Sequence, residues 1–234
     1  MITLIIPYYN QPLMLERQVE EIRKYPKGYK IIVVDDCSHV PAKKYDGIDL
    51  YRIETDIPWN RGGARNLGVH VCETEWLIHV DIDHVLPAEC AERLLEFIPD
   101  SEKWYRFERY RVGKADGTRR KDSIPDDCEY GKIHPHIDSY LVTKLTYWKA
   151  GGYDERYSGC LGGGSPFLEQ LSRTAEMEIL PDEIHLCVYT RSVIRDSSAS
   201  NLSRDTSEYK RRRNRIGSAK ANNPLRFVWN KIHG

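Results

Sequence analysis

A chain of 234 residues carrying 35 Lys or Arg and 35 Asp or Glu is long enough to bury about 70 to 75% of its unfolded surface, and its zero formal net charge argues against a globally steered nucleic-acid binder. No positively charged leader precedes the first apolar run and no apolar stretch approaches the roughly 20 residues of a membrane span, so a cytoplasmic protein is expected. The six cysteines, at 37, 72, 90, 128, 160 and 187, stand singly without a C-x-x-C pair, which reads as reduced buried thiols and not as a disulfide frame or zinc site.

In chain order, "ITLIIP" from Ile2 is a continuous apolar run bounded by Pro7, the signature of a strand covered on both faces. After Pro12, Leu15, Val19 and Ile22 recur at helical steps and give one apolar face. "KIIVVDD" (30–36) is a second buried strand, "DLYRIE" (49–54) a weaker third and "EWLIHVD" (75–81) a fourth. Ala64, Leu67 and Val71 mark a helix before the fourth strand, and Ala91, Leu94, Leu95 and Ile98 mark another after Pro87. "WYRFERYRV" (104–112) reads as a half-buried strand, "GKADGTRRKDSIPDD" as an exposed loop, "SYLVTKLTYWKAGGYDERY" as a strand and short helix, and "EIHLCVY" (183–189) as a last strand. Strands alternating with helices imply an α/β fold with a mostly parallel sheet, whose ligands bind at the carboxyl ends of the strands. Those ends carry "PYYN", "DDCS" and "DID".

The acids of "HVDIDHVLP" (79–87) cap a turn or hold something charged. On an extended strand end, Asp81 and Asp83 would share one side of the backbone, and two carboxylates with a ligand's phosphates suit Mg2+ or Mn2+. Taken alone, "DDCS" reads equally as an Asx-type turn, Tyr8 as packing, and His84 as structural or solvated.

Four motifs in order, "IIPYYN", "IVVDDCS" (32–38), "NRGGARNLGV" (60–69) and "LIHVDIDHVLP", resemble those of nucleotide-diphospho-sugar-dependent glycosyltransferases of the GT-A fold, family 2. The resemblance implies a Rossmann-like mixed sheet flanked by helices, with residues 1–203 as the catalytic domain. Residues 1–100 would bind the nucleotide sugar and 101–203 the acceptor, leaving 204–234 as a basic helical extension. It further implies that Pro7 and Tyr9 line the base pocket and that Asp36 accepts a hydrogen bond from the base while Asp35 holds the turn. Arg65 with Asn60 or Arg61 would face the nucleotide or its diphosphate. Asp81 would touch ribose or metal, Asp83 would be the direct ligand of Mn2+ or Mg2+, and His185 would complete the metal shell. The reaction implied is transfer from a UDP-sugar to a hydroxyl of a glycan, lipid-linked or nucleic-acid acceptor. Sugar nucleotidyltransferases share such sheets, but "PYYNQP" lacks their glycine-rich phosphate loop.

In the second half "GGYDERYSG" (151–159) matches the family's G-G-[FY]-D-E, whereas the expected acidic pair falls near Gly164 and Ser165, where no acid stands. A general base, which contributes about a hundred- to ten-thousandfold, must then come from elsewhere. Asp154, Glu155, Glu169, His134 and His136 are the candidates. Three readings follow: an inverting transferase with a relocated base, a retaining or atypical one including glycosylation of a modified nucleic-acid base, and a catalytically weak nucleotide-sugar binding module. Residues 204–234 hold nine Lys or Arg against two acids, leaving the first 203 residues at −7. That tail reads as a helix folded back on the acidic part or as an arm for DNA or an anionic membrane.

Overall fold

A computed structural model describes residues 1–112, 130–160, 164–189, 207–217, 221 and 225–233; the loop read at 113–127 lies outside them. The expected core elements are present: β1 (Ile2–Tyr8), α1 (Pro12–Ile22), β2 (Tyr29–Asp36), β3 (Ile48–Ile53), α2 (Arg61–Val71), β4 (Trp76–His79), then a short β5 (His84–Val85) and α3 (Ala88–Glu96). Ile98, counted on the apolar face of α3, lies beyond that helix and is 92% exposed. β3, β2, β1 and β4 lie side by side and parallel. Because the chain moves outward from β1 to β2 and β3 and then returns to β1's other side, the crevice expected of such a sheet falls at the β1 and β4 ends.

Period two explains the unbroken apolar runs. Leu4 and Ile6 face a core built with Leu15 and Val19 of α1 and Leu94 of α3; Ile5, Ile32 and Leu77 face a second core built with Ala64 and Leu67 of α2. Both faces of the sheet are therefore apolar. α2 lies so close to β1 that a Cβ at Gly68 would stand 2.3 Å from Ile5 Cγ2. Gly68→Ala is therefore expected to destabilise the protein by roughly 1–3 kcal/mol through overpacking, read as a lowered urea midpoint.

The run at 104–112 is two strands, not one. β6 (Lys103–Arg106) joins the large sheet and β7 (Glu108–Val112) a smaller one, with buried Phe107 between them. β8 (Tyr130–Ile133), β9 (Tyr140–Thr143), α4 (Lys144–Lys149), a 3-10 turn at Glu155–Tyr157, α5 (Gly164–Thr174), β10 (Glu176–Ile179) and β11 (His185–Tyr189) follow. The small sheet runs β5-β11-β7-β8 and the large one β10-β6-β9-β4-β1-β2-β3-β12.

The strand at 185–189 is not the last among the described residues. After α6 (Ser207–Ile216), β12 (Trp229–Lys231) pairs antiparallel with β3, and Phe227 is buried against the α2 core. Arg212 of α6 donates to the carbonyls of Arg156 and Ser158 and Arg213 pairs with Glu169, so the basic helix is folded back, as one reading of the tail has it. The five cysteines described are free thiols, four of them buried. No helix of the described residues is long and apolar enough to cross a membrane.

Candidate functional site

The ends of β1 and β2 are laced together. Asn10, at φ +49°, donates its N–H to Ser38 Oγ at 3.0 Å and accepts the Val40 N–H on Oδ1 at 2.9 Å. Asp35 accepts N–H groups from Ser38 at 2.9 Å and Ala42 at 3.0 Å and pairs with Arg52 at 2.6 Å. It holds the turn. Tyr8 is core, its hydroxyl donating to the Val40 carbonyl. Its neighbour Asp36 has a different task available: it is 7% exposed and its Oδ1 has no hydrogen-bond partner. Burial, against the lowering influence of Asn60, pushes its carboxyl up to about 7. Tyr9, half-buried and held protonated by burial and by the nearby charges of Asp56 and Asp36, and Pro7, paired with Val34, lie beside it. Buried Asn60 precedes α2 and accepts the Ser158 hydroxyl.

At the end of β4 the geometry differs from the extended strand end assumed for "DID". The strand stops at His79, and Asp81 to His84 form a turn closed by the His84 N–H on the Asp81 carbonyl at 2.9 Å. Gln18 of α1 braces it, donating to the carbonyls of Ile82 at 3.1 Å and His84 at 2.8 Å. The turn, not strand alternation, brings a histidine alongside the acids. Asp83 Oδ1 lies 3.0 Å from His84 Nδ1, His136 Nδ1 lies 3.5 Å from Asp81 Oδ2, and the two imidazoles stack at 4.6 Å. Ligand atoms of Asp81, His84 and His136 all fall within 4.8 Å of one another, the one such group among the described residues. One carboxylate and two imidazoles are a donor set that could hold a divalent cation. Burial is the main force lowering the His136 imidazole to about 4, so at neutral pH it is in the neutral form a cation needs.

Asp81 also receives the Nη2 of Arg65, a residue with no exposed surface. Burial alone would push the Asp81 carboxyl up; Arg65, helped by His136 and Arg61, outweighs it and holds the carboxyl at about 2. Behind the turn, burial keeps His79 neutral, with neither ring nitrogen partnered.

α2 is tied to the second half of the chain through Asn66. Its Oδ1 accepts the Tyr147 hydroxyl at 2.6 Å and the Tyr153 N–H at 2.9 Å, and its Nδ2 donates to the Tyr153 carbonyl and to Glu155. At Gly152, φ +66°, a Cβ would stand 2.8 Å from Asn66 Oδ1. The "ARN" and "GGYDE" motifs are one interlocked unit.

Other expected residues stand apart. Asp154 is buried and held by Arg156 Nε and Nη2 at 2.9 and 2.7 Å, and lines a small cavity with Trp59, Arg61 and Tyr153. Glu169 is at the surface, on Arg213. His185 lies in the small sheet, Nδ1 3.0 Å from the Asp182 carbonyl and its ring 4.6 Å from that of Tyr110. The residue that sequence reasoning missed is Asp138, 1% exposed, on Arg61 Nη2 at 2.8 Å. Its only sequence signal is its place beside the histidines of "KIHPHID".

The sequence model of glycosyl transferase family 2 matches residues 3–202. A Haemophilus influenzae protein described as an uncharacterized glycosyltransferase is 30% identical over 105 residues, 42% of this chain and 34% of that protein, so the chain spans about a third of that relative's length. The crystal structure of S. aureus TarS 1-349 in complex with UDP-GlcNAc superposes with a TM-score of 0.62 at 14% identity, over 90% of this chain and 63% of that one. The UDP complex gives 0.57 at 15%, over 81% and 60%. At such identities the likeness carries the fold, and that fold is the mixed-sheet GT-A arrangement expected from the motifs. Matched over most of its length and built on that architecture, the chain belongs to glycosyl transferase family 2.

Proposed function

We propose that the protein transfers a sugar from a nucleotide diphosphate sugar, a UDP-sugar foremost, to a hydroxyl acceptor with the help of a divalent cation. The observation that carries this is a pairing: a buried carboxylate with an unpartnered oxygen, Asp36, at the end of β2, and the Asp81, His84 and His136 group at the end of β4. β1 separates the two strands, so their ends lie about 10 Å apart, a span suited to a nucleoside and its diphosphate. Asp36 Oδ1 would accept the N–H of a uracil, with Tyr9 and Pro7 against the base. Asp81, His84 and His136, with Asp83 alongside, would hold Mn2+, which when bound neutralises the diphosphate as it leaves. Arg65 keeps Asp81 ionised, and Arg61 is the side chain available to the phosphates. The UDP and UDP-GlcNAc in the TarS structures support UDP as the nucleotide.

The expected result is a rise in Tm with UDP-sugars plus Mn2+, by mass action, larger than with GDP-sugars or with EDTA present. Asp83→Ala is expected to lower donor hydrolysis or transfer about ten- to a hundredfold. Undiminished turnover in that variant would remove Asp83 from the cation site.

For the acceptor, the outward side of α6 leaves Lys210, Arg211 and Arg215 exposed while Arg212 and Arg213 face inward. That division supports an acceptor bearing phosphate, such as a nucleic acid or anionic lipid. Retention of the intact chain on DNA or on anionic vesicles, weakening as salt rises, is the test that separates these from an uncharged glycan.

A further inference from the structure

We infer that Asp138 supplies, from the loop before β9, the carboxylate missing from the start of α5, and that it acts as a positioning residue holding Arg61 for the donor's diphosphate. The inference rests on the proposed function for its last clause and on geometry for the first. α5 begins at Gly164, where the family pattern leads one to expect an acid. Gly164 lies within a helix and has no positive φ, so its own backbone does not demand glycine. What demands it is Asp138: a Cβ on residue 164 would stand 2.4 Å from Asp138 Oδ1, with Cγ and Oδ2 at 3.2 and 3.3 Å. The volume a side chain at 164 would enter is filled by a carboxylate from another element.

Both oxygens of that carboxylate are engaged. Oδ1 accepts the Tyr153 hydroxyl at 2.9 Å and Oδ2 pairs with Arg61 Nη2 at 2.8 Å. Asp138 is buried, whereas Arg61 keeps 30% of its side chain exposed and lies over the Trp59 ring at 5.7 Å. A guanidinium fixed by an ion pair on one side and an aromatic face on the other loses little freedom when it meets a phosphate. A carboxylate with no exposed lone pair is placed to hold a cation and not to receive an acceptor's proton. Asp138 therefore replaces the helix-borne acid as an anchor.

The test uses the full chain. Asp138→Asn keeps the shape and removes the charge; it is expected to raise the donor KM and the UDP Kd about tenfold, with kcat changed by less than about threefold and a Tm close to wild type. Gly164→Asp is expected to lower Tm in the wild-type background and to do so far less, or to raise it, in an Asp138→Ala background, where it should also restore much of the lost donor affinity. Wild-type donor KM in Asp138→Asn, or equal Tm penalties for Gly164→Asp in both backgrounds, would overturn the inference while leaving the proposed function intact. A wild-type chain that binds no nucleotide sugar would overturn that function and Arg61's role together, and the Gly164 comparison, read through Tm alone, would still decide whether the acid has moved.

Discussion

Asp81→Ala is expected to give a protein that is inactive and also less stable by about 3–5 kcal/mol, read as a fall in the urea midpoint at unchanged slope. Arg65 has no exposed surface, and its Nε and Nη1 are already buried without partners. Removing Asp81 leaves that guanidinium inside the protein without the counter-ion its Nη2 contacts, and a buried unpaired charge is among the most costly single changes. Asp83 makes the comparison informative. Its side chain is 28% exposed and its carboxylate lies on the His84 imidazole, whereas Asp81 faces the fully buried Arg65, so Asp83→Ala should lose activity at a smaller cost in stability than Asp81→Ala. If the two alanine variants unfold at the same urea concentration, Asp81 is not the counter-ion Arg65 depends on. The pH dependence has a defined sign: the Asp81 carboxyl is held down at about 2, so the stability it contributes is complete above its unfolded pKa of about 4 and is lost as pH falls toward 2.

Asp36→Asn should act in the opposite direction on stability while weakening donor recognition. The Asp36 carboxyl is raised to about 7 in the fold, so it binds a proton more tightly folded than unfolded. Wild-type stability from this group is intact below about pH 4 and is lost as pH rises to about 7, by at most roughly 4 kcal/mol. An asparagine there cannot ionise. The variant should therefore melt near wild type at pH 4 and several degrees above it at pH 8. UDP affinity should fall about ten- to a hundredfold, the worth of a hydrogen bond to a charged group. Calorimetry and melting curves across pH check both halves. Wild-type UDP affinity in the variant would remove Asp36 from the base pocket, and a variant less stable at pH 8 would remove the burial strain.

Much of this arrangement was legible along the chain. Strands β1, β2 and β4 show as continuous apolar runs because both faces of the sheet are covered, and α1 shows because Leu15, Val19 and Ile22 repeat at helical spacing. The clustering of "PYYN", "DDCS" and "DID" follows from parallel neighbours, whose carboxyl ends lie at one edge. The split at Phe107 was hidden, since a chain passing from one sheet to another keeps its period of two. β12 was hidden because an edge strand of three residues has too little pattern to read.

The fold, the two candidate ends of the donor site and the absence of an acid at Gly164 can all be read along the chain, because they depend on local periodicity and on motifs within one segment. Only the folded chain brings His84 and His136 together with Asp81, sets His185 on β11 against the Tyr110 ring, and commits Arg65 to Asp81. It alone placed Asp138 in the space left at Gly164. Those contacts join residues dozens of positions apart, and side-chain charge and volume at such separations leave no periodic trace in the chain.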